Sequence, residues 1–152
     1  MTSLSGQTLP AVDASLVVDW VTPGIDPELP TRLLAATWQR HNERLVAPGL
    51  LLQETLNALL SGIRRRRWSA AEADTGASLL EKLPIEIIDT AADRRRAWEL
   101  ARRYENWPIY DMVYVALAER LGQPLVTADR RLVGRLGHLD WILTPEDVLS
   151  GS

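Results

Sequence analysis

The chain has 152 residues, no cysteine, two histidines and a formal net charge of -3. These values exclude disulfides, thiolate metal sites and cysteine nucleophiles, and they argue against a nucleic-acid coat held by bulk positive charge. The length and a hydrophobic fraction of 46% suit one globular domain, with residues 1–8 as a flexible leader, 9–149 as the domain and 150–152 as a mobile tail. Nothing reads as a signal peptide or a membrane span, and absence of cysteine fits the cytoplasm.

Residues 9–12 are a short apolar run ending at Asp13, which predicts a first strand followed by a helix over 14–21. Prolines and a glycine between 22 and 30 mark a loop, and 29–41 has Leu33, Leu34 and Trp38 at helical spacing. Residues 44–48 predict a second strand. The run 49–67 predicts a helix with Leu52, Leu56, Leu59, Leu60 and Ile63 as its apolar stripe and Glu54 and Asn57 on an adjacent face. Ser69 and Glu72 form a capping-box pattern that opens a helix ending near Lys82. A third strand follows at 84–88. Asp89 or Thr90 starts the helix that carries Trp98, and a break at 105–108 leads into a strong helix at 109–122. A fourth strand is expected at 123–127, a short helix at 128–137, an edge strand at 139–143 and a helical turn at 145–149.

Short apolar strands alternating with helices predict a three-layer α/β/α sandwich around a mostly parallel sheet. Glycine-rich phosphate loops are absent from the sequence, which weakens dinucleotide and NTPase readings.

The acids carry the chemistry. Asp13 and Asp129 each follow an apolar strand, where ligands collect in open α/β sheets. Aspartate is also a good helix cap at either place, so both readings stand. Asp111 lies near the start of a greasy helix, and Glu54 lies inside a leucine-rich one. Four carboxylates in one cleft repel each other unless a cation neutralises them, and oxygen ligands favour Mg²⁺ or Mn²⁺. One or two such ions support phosphodiester hydrolysis.

The segments VDAS (12–15), QETLNAL (53–59), YDMVYVALAERLG (110–122) and PLVTADRRL (124–132) resemble those of PIN-domain proteins, most closely toxin ribonucleases of the VapC type. The resemblance implies that Asp13, Glu54, Asp111 and Asp129 are an acidic quartet holding Mg²⁺ or Mn²⁺, with Thr127 and Asn57 supporting it. It implies an endoribonuclease, a homodimer, a small VapB-like antitoxin that blocks the site, and contact with operator DNA only through that antitoxin. Met112 stands where the family commonly has a small residue.

Among the sixteen arginines, Arg130 and Arg131 directly follow Asp129 and are candidate RNA contacts. Arg64 and Arg65 close the glutamate helix, where a solvated helix end competes with an RNA or partner contact. Trp107 precedes the Asp111 helix, and packing competes there with base stacking. Trp38 and Trp98 are expected in the core, Trp20 and Trp68 at an interface. Two other readings remain: a PIN-like nuclease in RNA maturation or DNA processing, and a non-catalytic interaction module. A phosphoacceptor receiver lacks its late lysine, because the one lysine is Lys82.

Overall fold

A computed structural model describes residues 9–151. The leader at 1–8 and Ser152 lie outside the described residues. The strands are β1 (Ala11–Val12), β2 (Leu45–Ala47), β3 (Ile85–Ile87), β4 (Leu125–Val126) and β5 (Ile142–Leu143). Each keeps only two or three residues of the apolar run that predicts it. All five are parallel, in the order β3-β2-β1-β4-β5. Ala11 pairs with both Val46 and Leu125, which places β1 at the middle of the sheet.

Successive strand residues point to opposite faces. Ala11 and Val12 are both fully buried, as are Leu125 and Val126, so the central strands are covered on both sides. That is the three-layer arrangement. At the edge, β3 departs from the buried pattern: Glu86 and Ile87 are exposed, because one side of an edge strand has no neighbour.

Between the strands run α1 (Ala14–Val21), α2 (Pro30–Arg40), α3 (Leu50–Arg64), α4 (Ala70–Leu80), α5 (Ala91–Arg103), α6 (Ile109–Leu121), α7 (Arg130–Leu136) and α8 (Pro145–Gly151). Helices α1, α3 and α4 pack on one another, and α5 lies along α6. Ser69 and Glu72 make the capping box of α4 in both directions. Thr90, rather than Asp89, caps α5 by accepting the Asp93 N–H. Gly122 ends α6 with φ +63°, a conformation glycine adopts without strain. Ser150 and Gly151 belong to α8, so the expected tail is helical up to its last described residue.

Two expectations fail. The buried face of α3 is Leu51, Thr55, Leu59 and Gly62, whereas Leu56 and Leu60 are exposed. Gly62 lies on that face because the Trp68 ring packs against it. Trp98 is 65% exposed; the inner side of α5 is built from Ala97, Leu100 and Ala101. Trp20 and Trp68 are half-buried and spend their indole N–H groups internally, on Thr31 O and Leu59 O. Among the described residues, no helix is long and apolar enough to cross a membrane.

Candidate active site

The chain runs from β1 through β2 to β3 on one side, then returns to place β4 and β5 on the other. The reversal makes the carboxyl ends of β1 and β4 the topological switch point, the position where open α/β sheets take ligands in a crevice. Asp13 follows β1 directly. Thr127 and Asp129 follow β4.

Asp13 is 7% exposed, and both its oxygens are engaged. Oδ1 accepts from the Ser15 amide at 3.1 Å and from Ser15 Oγ at 2.5 Å. Oδ2 accepts from the hydroxyl of the fully buried Thr127 at 2.5 Å. Ser15 Oγ and Thr127 Oγ1 in turn accept the N–H groups of Ala128 and Asp129. This network ties the ends of β1 and β4 together. Asp13 therefore caps α1 and belongs to the crevice at once. Asp129 does the same for α7, accepting from the amides of Arg131 and Leu132.

Asp111 and Glu54 enter from helices. Both are half-buried. Asp111 Oδ2 accepts from Trp107 Nε1 at 2.7 Å, and Glu54 Oε1 accepts from the Tyr114 hydroxyl at 2.5 Å. Tyr114 lies three residues after Asp111, on its side of α6, and Trp107 reaches Asp111 from the turn that precedes the helix.

The acids bear on one another pairwise. Burial pushes the Asp13 carboxyl up to about 6, opposed by its two hydroxyl donors and reinforced by the charges of Asp129 and Asp111. Burial raises Glu54 as well, with the Tyr114 bond opposing and the Asp111 charge adding. Asp111 is raised by burial and by Asp129, against the Trp107 bond and the Arg131 charge. Burial and the neighbouring carboxylates, Glu54 first, raise Tyr114, which keeps its proton for Glu54. Asp111 is the hub, since its charge interacts with those of the other three.

Among the described residues, no three acidic or imidazole side chains are gathered closely enough to close on one ion as they stand. Each carboxylate is held by a donor of its own. The donor set is nevertheless that of a hard cation: carboxylates and hydroxyls, with neither thiolate nor imidazole among them. A divalent cation would relieve the repulsion and the desolvation that raise these groups.

Of the supporting residues, Thr127 bonds Asp13 directly, whereas Asn57 is exposed and Tyr114 is the partner of Glu54. Arg130 and Arg131 are exposed at the start of α7 beside the crevice. Arg64 and Arg65 are exposed at the far end of α3; ten helical residues beyond Glu54 is about 15 Å. Trp107 is half-buried, with the Arg135 guanidinium 5.6 Å over its ring. Sequence reasoning missed Ser15 and Tyr114. The serine two residues after a strand-end aspartate, and the tyrosine one turn after Asp111, were the available signals.

Comparison with known proteins agrees with this geometry. A family model described as the PIN domain matches residues 11–137. The ribonuclease VapC9 of Mycobacterium tuberculosis is 36% identical over 90 residues, 59% of this chain and 68% of that protein. Two crystal structures share the fold. PAE2754 from Pyrobaculum aerophilum superimposes with a TM-score of 0.69 at 22% identity, covering 98% of this chain and 93% of that one. VapC20 of M. tuberculosis, described as a sarcin-ricin loop cleaving toxin, gives 0.56 at 20% identity, covering 76% and 85%. With a family model spanning the crevice from β1 to α7 and a curated relative matched over two thirds of its own length, the chain belongs to the PIN-domain family, as one of its VapC ribonucleases.

Proposed function

We propose that this ribonuclease is the toxin of a toxin–antitoxin pair, and that Asp13, Glu54, Asp111 and Asp129 hold one or two Mg²⁺ or Mn²⁺ ions for hydrolysis of RNA phosphodiester bonds. The observation that carries the reading is the supply of four carboxylates by separate elements around the topological switch point, where the Asp111 charge bears on Asp13 and Glu54 and the Asp129 charge bears on Asp13 and Asp111. Bound there, a hard divalent cation supplies charge neutralisation at the phosphate and acidification of the attacking water. The protein supplies the rest. Ser15 and Thr127 fix Asp13, Tyr114 fixes Glu54, and the α7 amides fix Asp129, so the acids are oriented before RNA arrives. Arg130 and Arg131 sit where an RNA phosphate entering the crevice gains a guanidinium partner. Arg64 and Arg65 suit a more distant stretch of RNA backbone or a protein partner. The toxin acts in the cytoplasm as a homodimer, and its small antitoxin blocks the site and carries any contact with operator DNA.

The test is cleavage of RNA with Mg²⁺ or Mn²⁺ by the unaltered protein, Asp13→Asn and Asp111→Asn. Asparagine keeps the helix cap at residue 13, so the fold survives. Cleavage falls at least a hundredfold in both variants, and chelation of the metal abolishes it in the unaltered protein. Equal cleavage by Asp111→Asn overturns the quartet. Co-expression with the adjacent small gene relieves growth arrest if the chain is a toxin; arrest that persists removes the antitoxin reading and leaves RNA maturation.

A further inference from the structure

Trp107 reaches Asp111 from a turn that the chain holds at a cost. Glu105 and Asn106 have φ of +60° and +64°, and neither is glycine. That region disfavours a side chain, more at Glu105 than at Asn106, since asparagine tolerates it. Side chains from two helices hold the turn in place. Arg102 of α5 donates to Asn106 Oδ1. Arg135 of α7 donates to Glu105 Oε2 at 2.9 Å and to Tyr104 O at 3.4 Å. The Trp107 amide donates to Ala101 O.

What the strained turn achieves is the placement of one N–H group. The indole has a single donor and no acceptor, so it fixes a carboxylate oxygen without competing for a cation. It lies 2.7 Å from Asp111 Oδ2. The Arg135 guanidinium, stacked 5.6 Å from the ring centroid, holds the indole from the other element. Arg135 stands on the helix that Asp129 caps, so the stack connects the segment before Asp111 to the segment after Asp129.

We propose that Trp107 is a positioning residue for the metal centre: its indole N–H sets the orientation in which Asp111 meets a divalent cation, and Arg135 clamps the indole. The inference rests on the quartet reading above. A tryptophan that merely filled the loop would leave ion binding untouched when replaced by phenylalanine.

The probes are Mg²⁺ and Mn²⁺ alone, titrated into the full chain. In ¹⁵N-labelled protein the Trp107 indole resonance is assigned by its loss in Trp107→Phe. It moves on addition of Mg²⁺ in step with calorimetric binding. Trp107→Phe keeps its circular dichroism spectrum and binds Mn²⁺ about tenfold more weakly, as loss of a ligand's outer partner does. Arg135→Leu weakens binding in the same direction and shifts the Trp107 resonance, and Arg135→Lys recovers most of it. If Trp107→Phe does not fold, Arg135→Leu and Arg135→Lys carry the test through Mn²⁺ affinity. An indole resonance unmoved at saturating Mg²⁺, or unaltered Mn²⁺ affinity in the folded variants, overturns the clamp while leaving the quartet intact. Failure of the unaltered protein to bind either ion overturns both.

Discussion

Tyr114 donates its hydroxyl hydrogen to Glu54 across sixty residues of sequence, from the most buried helix of the fold to a half-buried acid on another. The bond joins α6 to α3 and occupies one of the two Glu54 oxygens. Removing the hydroxyl keeps the ring and its volume, so packing is nearly conserved. Tyr114→Phe therefore retains the fold and loses about tenfold in Mn²⁺ affinity. Calorimetry beside a thermal melt checks this. A large drop in melting temperature with unchanged affinity would assign the bond to stability alone.

Gly62 faces the Trp68 ring so closely that a Cβ added there would lie 2.0 Å from ring carbons. Gly62→Ala gains about 1 kcal/mol of helix propensity. It loses more to overpacking, about 1–3 kcal/mol with side chains forced from their rotamers. The net effect is a lower melting temperature. In a Trp68→Leu background the same substitution loses its penalty, because the clash has gone. An unchanged penalty in the double variant would place the strain elsewhere.

That contact also shows where the sequence was legible. The strand centres, the Ser69–Glu72 box, the Gly122 stop and the acids after β1 and β4 are local signals, and each appears where its residues put it. The α3 stripe was not legible. Leucines at 56 and 60 look like a core face, but burial was decided by Trp68 folding back on a glycine, a partner beyond the helix end. Trp98 misled for the same reason: small alanines let α5 approach α6, and the large ring was left outside. The acids could be named from residue type and placement. Their donors could not, since Tyr114 meets Glu54 only after α3 and α6 have packed.

Asp93 is 3% exposed and takes Arg120 in a two-point bond, Nε to Oδ1 at 2.7 Å and Nη2 to Oδ2 at 3.0 Å. The Arg120 bonds hold its carboxyl below the ordinary 3.8, against the opposing effect of burial. The folded state therefore binds this proton less readily than the unfolded chain. The stabilisation is complete above the unfolded value and is lost as pH falls through the lower folded value. At pH 7, Asp93→Asn is less stable by about 1 kcal/mol, discounted for the partial exposure of Arg120. The gap begins to narrow only below the unfolded value of 3.8 and is gone below the lower folded value, where the unaltered protein has lost the same contribution. Denaturant melts from pH 7 to pH 3 measure it. A gap that shows no narrowing between pH 7 and pH 3 would mean that packing, not charge, separates the two proteins.

Thr127 holds two of the proposed ligands with one fully buried hydroxyl. It donates to Asp13 Oδ2 and accepts from the Asp129 amide at 3.0 Å. Thr127→Val keeps the shape and leaves a carboxylate oxygen and an amide without partners, costing about 1–3 kcal/mol. It also frees Asp13 and Asp129 together, so Mn²⁺ affinity and RNA cleavage fall by about tenfold or more. Thr127→Ser restores the hydroxyl and with it most of both properties. Valine keeps the methyl and the volume but loses the hydroxyl, and serine keeps the hydroxyl but loses the methyl, so their separation isolates the hydroxyl from the methyl. If the serine variant cleaves and binds no better than the valine variant, the methyl packing rather than the shared hydroxyl sets the geometry between β1 and β4.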